Sequence, residues 1–514
     1  MVAKMKGENL LKIKREAIIT ICWCFLIACI IITICSRSSF LYPMNNWDDA
    51  NSYLSMAKAL QNGNVLYRDA YDQKGPYLYL LYMFANMISS DSFFGVYIVE
   101  LIACTFSLVG MYAILRLYLS KKMSMACIPV MASVIYSSVS FYWGGSAEEM
   151  MLPALVFAVF ISLRYFKNRY PEPMESKEVF FVGLLAGYVM QHKYTSLGLF
   201  FAFMMMVACT RLLKKEIKTA FFQSGIFLLG MLIPSVPWLI YFGYHGAIGS
   251  WYEAYVYNNI FSYSGVFEKA SLGQRAYDLA KILYDLILEH FQYFIFIIIG
   301  GFGFIFSTKI KIVEKLNVIS MCFFLFLGIF VGGVRLKYYS FSLVVFVPLG
   351  LIFVGILLAK IWKLLKIHMS PKICQYSIYG ILSAVLIGSS IFAYVRSMNT
   401  FLIGYPKEDF YLYQFKEIIE ETEDPTLLNI NCLDVGLYTV CDIVPTCRFF
   451  QGNTVNYDYV LSEQQRYIEE GLIDYVIVRT DFPQYLEGRY EMVKEITNDL
   501  EDNQFTYRLY RKIK

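Results

Sequence analysis

Eleven apolar segments divide the first 395 residues of this chain, at 17–36, 94–117, 124–142, 151–168, 179–192, 196–211, 220–243, 291–308, 317–332, 340–359 and 375–395. A bilayer core about 30 Å thick takes roughly 17–25 apolar residues per helical span. Lipid offers no hydrogen bonds, so a spanning segment must satisfy its own backbone as a helix or close into a barrel. Runs of this length point to helices. Charged residues make up 17% of the chain, against about 25% in soluble domains. The predicted fold class is therefore an all-α polytopic membrane domain.

Charge gives the topology. Lys and Arg cluster at 4–15, 121–122, 164–169, 211–218, 309–315 and 360–372. The positive-inside rule assigns these clusters to the cytoplasm. The stretch 76–88, PYLYLLYMFANMI, is about 20 Å long as a helix, too short to cross. Crossing there would also put Lys121 and Lys122 outside. It is expected to lie on, or dip into, the outer surface. The prediction is eleven spans in a cell membrane, N-terminus inside and C-terminus outside. Residues 17–35 follow a basic flank with no small-residue cleavage site, so they read as a signal anchor. Glu148, Glu149, Lys193, Arg335 and Lys337 then share the outer side with Asp48 and Asp49. The net charge of +4, with no basic block, gives no reason to expect a nucleic-acid partner. Cys432, Cys441 and Cys447 fall in a polar region and allow at most one disulfide.

The chain becomes polar near Arg396. Helical stretches at 410–421 and 462–470 alternate with strand-like runs at 426–430, 475–478 and 505–511. The expected division is a membrane domain at 1–395 and a small extracytoplasmic α/β domain at 396–514. A second outer segment, 244–290, carries Trp251, Tyr252, Tyr255, Tyr257 and Tyr263, side chains that favour the membrane interface.

Chemistry concentrates at 47–76, WDDANSYLSMAKALQNGNVLYRDAYDQKGP. Asp48 and Asp49 suit the start of a helix, where the dipole favours acids. They are also candidate bases. Arg68 and Lys74 are candidate phosphate partners, beside the plainer reading of cations snorkelling at the interface. Glu148 and Glu149 lie between WGGS and MMLP. Adjacent carboxylates near lipid are costly unless used, although a solvated helix cap is the plainer account. His192-Lys193 and the run Arg335, Lys337, Tyr338, Tyr339 complete the outer polar groups.

The run from Asp49 through Tyr53, Ala57 and Gly63 to Tyr67-Arg68-Asp69 and Asp72-Gln73-Lys74-Gly75-Pro76 resembles the first outer loop of GT-C glycosyltransferases that use polyprenyl-phosphate sugars. Protein O-mannosyltransferases and lipid A aminoarabinose transferases are examples. Their loop carries a Lys/His-Pro-Pro-like motif; here Gly75 replaces its first proline. Their second acidic motif precedes a Leu-Pro, as Glu148-Glu149 precedes Leu152-Pro153. The likeness covers residues 1 to about 360 in layout. It implies an enzyme that moves a sugar from a polyprenyl-phosphate carrier to a cell-envelope glycan, lipid or protein on the outer side. It implies Asp49 as base, matched by Tyr53 four residues on, with Asp48 as the alternative. Lys74 is the implied donor-phosphate partner, with Arg68, Lys193, Arg335 and Lys337 as further cations. Tyr53, Asp72 and Tyr338 are implied substrate contacts. Glu148 and Glu149 would orient the acceptor, or hold a divalent cation with Asp48. The family often has His-Tyr where this chain has Lys337-Tyr338, and four histidines without a clustered pair do not suggest zinc.

The competing class is a polytopic transporter or lipid-linked-sugar flippase. Such proteins place charges and broken helices near mid-membrane, whereas these carboxylates fall in outer loops. Every candidate acid and cation precedes residue 340, so the C-terminal domain is expected to be dispensable for the core chemistry.

Overall fold

The computed structural model describes residues 2–262, 270–365, 370–452, 458–479, 483–500 and 504–513, apart from the side chains of 2–13, 371, 372, 374 and 375. Tyr263 and the basic side chains of Lys4, Lys6, Lys12, Lys366 and Lys372 lie outside the described residues. The chain forms two compact units. One comprises residues 1–36, 100–235 and 269–401; the other comprises 37–99, 236–268 and 402–514.

Each of the eleven apolar segments coincides with helix. Among the described residues, eight helices are long and apolar enough to cross a membrane. The count is nine if Leu272–Glu289 and Phe291–Phe306, bent by 114°, form one span. The difference from eleven has a simple cause. Lys121–Tyr136 and Ser176–Met190 have 16 and 15 residues, about 22–24 Å of helix, short of a hydrocarbon core.

In the first unit, small residues let helices meet. A Cβ at Gly198, on Leu197–Leu213, would collide with the Phe324 carbonyl of Ile312–Phe330; one at Gly183, on Ser176–Met190, would collide with the Phe227 carbonyl of Ile217–Leu232. Lipid supplies no hydrophobic drive between helices, so close approach and dispersion must hold them. Phe221, Phe222 and Leu228, and on Pro371–Arg396 Ile387 and Ile391, are exposed, as lipid-facing side chains are.

The second unit holds one sheet, with β1 Leu427–Ile430, β2 Tyr475–Val478, β3 Tyr490–Asn498 and β4 Phe505–Lys512 in the order β1-β2-β4-β3. β1 and β2 are parallel, joined through helix Asp458–Glu469, and the other pairs are antiparallel. Leu428, Ile430, Val476, Val478 and Ile468 form the core beneath it. The helices Tyr411–Ile419 and Asp458–Glu469 match the stretches read from sequence. β3 was not foreseen: it is rich in charge, and a bulge between Met492 and Lys494 breaks its alternation. Two helices from the first loop, Asp48–Gln61 and Pro76–Asn86, belong to this unit. The second has 11 residues, about 16 Å, so by length it does not cross a membrane.

Candidate active site

Helix Asp48–Gln61 begins where Asn51 Nδ2 donates to the carbonyls of Asn45 at 2.9 Å and Trp47 at 3.0 Å. Asp48 and Asp49 occupy its first turn, at the positive end of the dipole. It stops at Asn62 and Gly63, whose φ of +87° suits glycine. Neighbouring residues on a helix point about 100° apart. Asp48 and Asp49 therefore face different surroundings.

Asp48 begins a polar stripe that recurs every three or four residues, the spacing of one helix face. Arg479 Nη1 lies 2.6 Å from Asp48 Oδ2. Ser52 donates to Gln451 Oε1 at 2.5 Å, and Ser55 to Asp434 Oδ2 at 2.5 Å. Lys58 Nζ donates to Asp442 Oδ1 at 2.7 Å and to the Tyr438 carbonyl at 2.9 Å. Thr439 donates to Asn51 Oδ1 at 3.0 Å. Asn51, Ser52, Ser55 and Lys58 are buried, and burial demands such partners. Burial pushes the Asp434 carboxyl up to about 6, although Ser55 and the Gly436 N–H pull it back. Burial lowers the Lys58 ammonium, against the pull of Asp442.

The Asp49 side is different. Tyr53, four residues on, is buried, and Lys74 Nζ sits 5.5 Å from its ring centroid. Burial raises the Asp72 carboxyl above its ordinary range, Lys74 draws it down, and the charge of Asp49 raises it again. Tyr79 donates to Asp72 Oδ2 at 2.8 Å and accepts the Lys74 N–H at 2.9 Å. Tyr67 donates to the Lys74 carbonyl at 2.7 Å. Gly75 caps the next helix and Pro76 takes its first position, where a missing N–H costs nothing. Asp49, Tyr53, Asp72 and Lys74 thus share one neighbourhood.

In the first unit, Glu148 and Glu149 open helix Ala147–Asn168 and are 2% and 1% exposed, which rules out the solvated cap. Ser146 Oγ accepts the Glu149 N–H at 3.0 Å, and Glu149 Oε2 accepts the Gly145 N–H at 3.0 Å. This is close to a reciprocal capping box. Glu149 also interacts with Glu100, which accepts from Ser36 at 2.7 Å. Glu148 Oε1 pairs with Lys193 Nζ at 2.5 Å. Lys193 lies 3.5 Å from the Tyr339 ring centroid and 5.5 Å from that of Tyr338. The sequence reading missed Glu100. Its signal was a single acid inside the apolar run 94–117, an expensive placement.

The family model for dolichyl-phosphate-mannose-protein mannosyltransferase matches residues 73–241. ArnT from Cupriavidus metallidurans bound to undecaprenyl phosphate superposes with a TM-score of 0.62 at 9% identity, over 95% of this chain and 98% of that one. Its apo state gives 0.59 at 9% identity, over 98% of each chain. The chain has the fold of GT-C membrane glycosyltransferases. The archaeal oligosaccharyltransferase AglB from Archaeoglobus fulgidus, in complex with an inhibitory peptide and a dolichol-phosphate, superposes with a TM-score of 0.50 at 12% identity, over 91% of this chain and 69% of that one. At such identities the superpositions establish the fold; the matched family model adds the enzyme class. No curated protein sequence gives a significant match.

The sequence expects five cations at a donor phosphate, and the structure gives them different surroundings. Arg68 is bound twice to Asp69 at 2.8 Å and once to the His245 carbonyl at 2.8 Å. Arg335 pairs with Asp285 at 3.1 Å and with Glu289. Lys193 pairs with Glu148. Lys74 and Lys337 each lie over a ring, that of Tyr53 and that of Tyr142 at 5.8 Å. Among the described residues, no three His, Cys, Asp or Glu side chains are grouped to hold a metal ion. Cys432, Cys441 and Cys447 are free thiols.

Proposed function

We propose that this GT-C enzyme takes a sugar from a polyprenyl-phosphate carrier and attaches it to a hydroxyl of a cell-envelope glycan, lipid or protein on the extracytoplasmic side. The division of labour between the two aspartates carries the reading. Asp48 is engaged by Arg479. Asp49 shares its side with Tyr53, Lys74 and Asp72. In the reaction, Asp49 takes the acceptor hydroxyl proton as its oxygen attacks the anomeric carbon. The new C–O bond forms, the anomeric carbon–phosphate oxygen bond breaks, and the lipid phosphate leaves with the electron pair. Lys74 offsets the charge growing on that phosphate. The lipid phosphates named with ArnT and AglB support a carrier of this kind. The distribution of Lys and Arg supports a cytoplasmic N-terminus and an outer C-terminus.

The segment 402–514 supplies Arg479, Asp434 and Asp442 to the loop helix. It works with that helix in this reading, in place of the dispensable domain expected from sequence. Transfer from defined polyprenyl-phosphate sugars in proteoliposomes tests the proposal. The wild-type protein should transfer sugar and Asp49→Asn should not. Near-normal transfer by Asp49→Asn with a dead Asp48→Asn would exchange the two roles. Near-normal transfer by both would defeat the mechanism.

A further inference from the structure

We infer that Arg479 is a positioning residue for sugar transfer: its ion pair with Asp48 sets the rotation of the helix that carries Asp49. The inference rests on the reading of Asp49 as base. Arg479 directly follows β2, which is hydrogen-bonded to β1 on one side and β4 on the other. Its backbone therefore starts from a strand with no free edge. Its guanidinium lies 4.7 Å from the Phe505 ring centroid and 2.6 Å from Asp48, and both side chains of the pair are about one-fifth exposed. A planar guanidinium held by a ring and a carboxylate has little freedom left.

Asp48 and Asp49 are consecutive, so what holds one fixes the bearing of the other. The far end of the same helix has its own pair, Lys58 with Asp442, roughly 15 Å along the axis. That pair fixes the helix without acting next to the base. A misplacement of about 1 Å at a reacting group can cost on the order of 10²-fold in rate, which a small roll of the first turn would produce.

The test compares the two ends in the full-length protein, measuring kcat, donor KM and thermal stability. Arg479→Ala should lower kcat by about 10–100-fold while donor KM stays within about threefold. Arg479→Lys keeps the charge without the fork and should recover part of the loss. Lys58→Met should lower stability at least as much while keeping kcat within about threefold of wild type. The inference is overturned if Arg479→Ala leaves kcat unchanged, if its loss lies in KM, or if both variants lose activity in proportion to stability. Should Arg479→Ala fail to fold, a kcat of Arg479→Lys equal to wild type overturns it, and a reduced kcat at normal stability supports it. Asp49→Asn measured alongside separates the premise: transfer by that variant defeats the base assignment whatever Arg479 does.

Discussion

The two acidic pairs, one in each compact unit, begin alike and end differently. Both open a helix. In the loop helix, Asp48 forms an ion pair with Arg479, while the charge of Asp49 acts on Asp72 in the loop that carries Lys74. In the membrane bundle, Glu148 pairs with Lys193, while Glu149 accepts the Gly145 N–H beside a second carboxylate, Glu100. Adjacent carboxylates on a helix diverge by about 100°, so a pair seldom acts as a pair. The bundle pair is buried among groups of its own unit, and the loop pair is divided between Arg479 on one side and the Lys74–Asp72 loop on the other.

The largest expected effect is at Asp49. Asp49→Asn should cut transfer by about 10²–10⁴-fold. Asp48→Asn should cost about tenfold, because an amide oxygen still accepts from Arg479 at reduced strength. Equal losses would erase the distinction drawn within the loop pair. The bundle pair should respond in stability. Lys193→Met leaves Glu148 buried without its cation, a change worth about 3–5 kcal/mol, read as a lowered melting temperature in detergent. The double variant Lys193→Met/Glu148→Gln should recover much of it. Loss of transfer at unchanged stability would instead move Glu148 into the chemistry.

Smaller effects test the loop. Lys74→Ala should cost roughly 1.5–3 kcal/mol, one to two decades in donor affinity or rate, with Lys74→Arg intermediate. Unchanged donor affinity would reassign the phosphate, first to Lys337. The smallest effect concerns Asp434, whose carboxyl is raised to about 6 in the folded protein. A raised acid binds a proton in the folded state that the unfolded state has released. Its contribution is full below about 3.8 and is lost as pH rises through about 6. Stability should gain about 1 kcal/mol between pH 7 and pH 5.5. Asp434→Asn should remove that slope, seen as melting temperatures that no longer differ between the two pH values from this source.

The amino-acid pattern alone set much of this protein. Apolar runs determined where helices form, because lipid tolerates little else. The run 124–142 was overread, since its helix ends at Tyr136, while 179–192 was placed correctly but forms a helix of only 15 residues. The loop residues Asp49, Tyr53, Asp72 and Lys74 were legible because they lie within 26 residues of one another. β1, β2 and β4 were legible as short apolar or alternating runs, while the bulged, charged β3 was not. What only the tertiary structure decided is partnership. Arg479 and Asp48 are 431 positions apart, Asp434 and Ser55 379, and no local period encodes such pairs. Glu100 gave a local hint, but its tie to Ser36 and Glu149 depends on helices brought together by packing. Sequence fixes which groups carry charge and which face of a helix they occupy. Which charge meets which partner depends on what the fold sets opposite that face, because an ion pair is decided over a few ångströms in space.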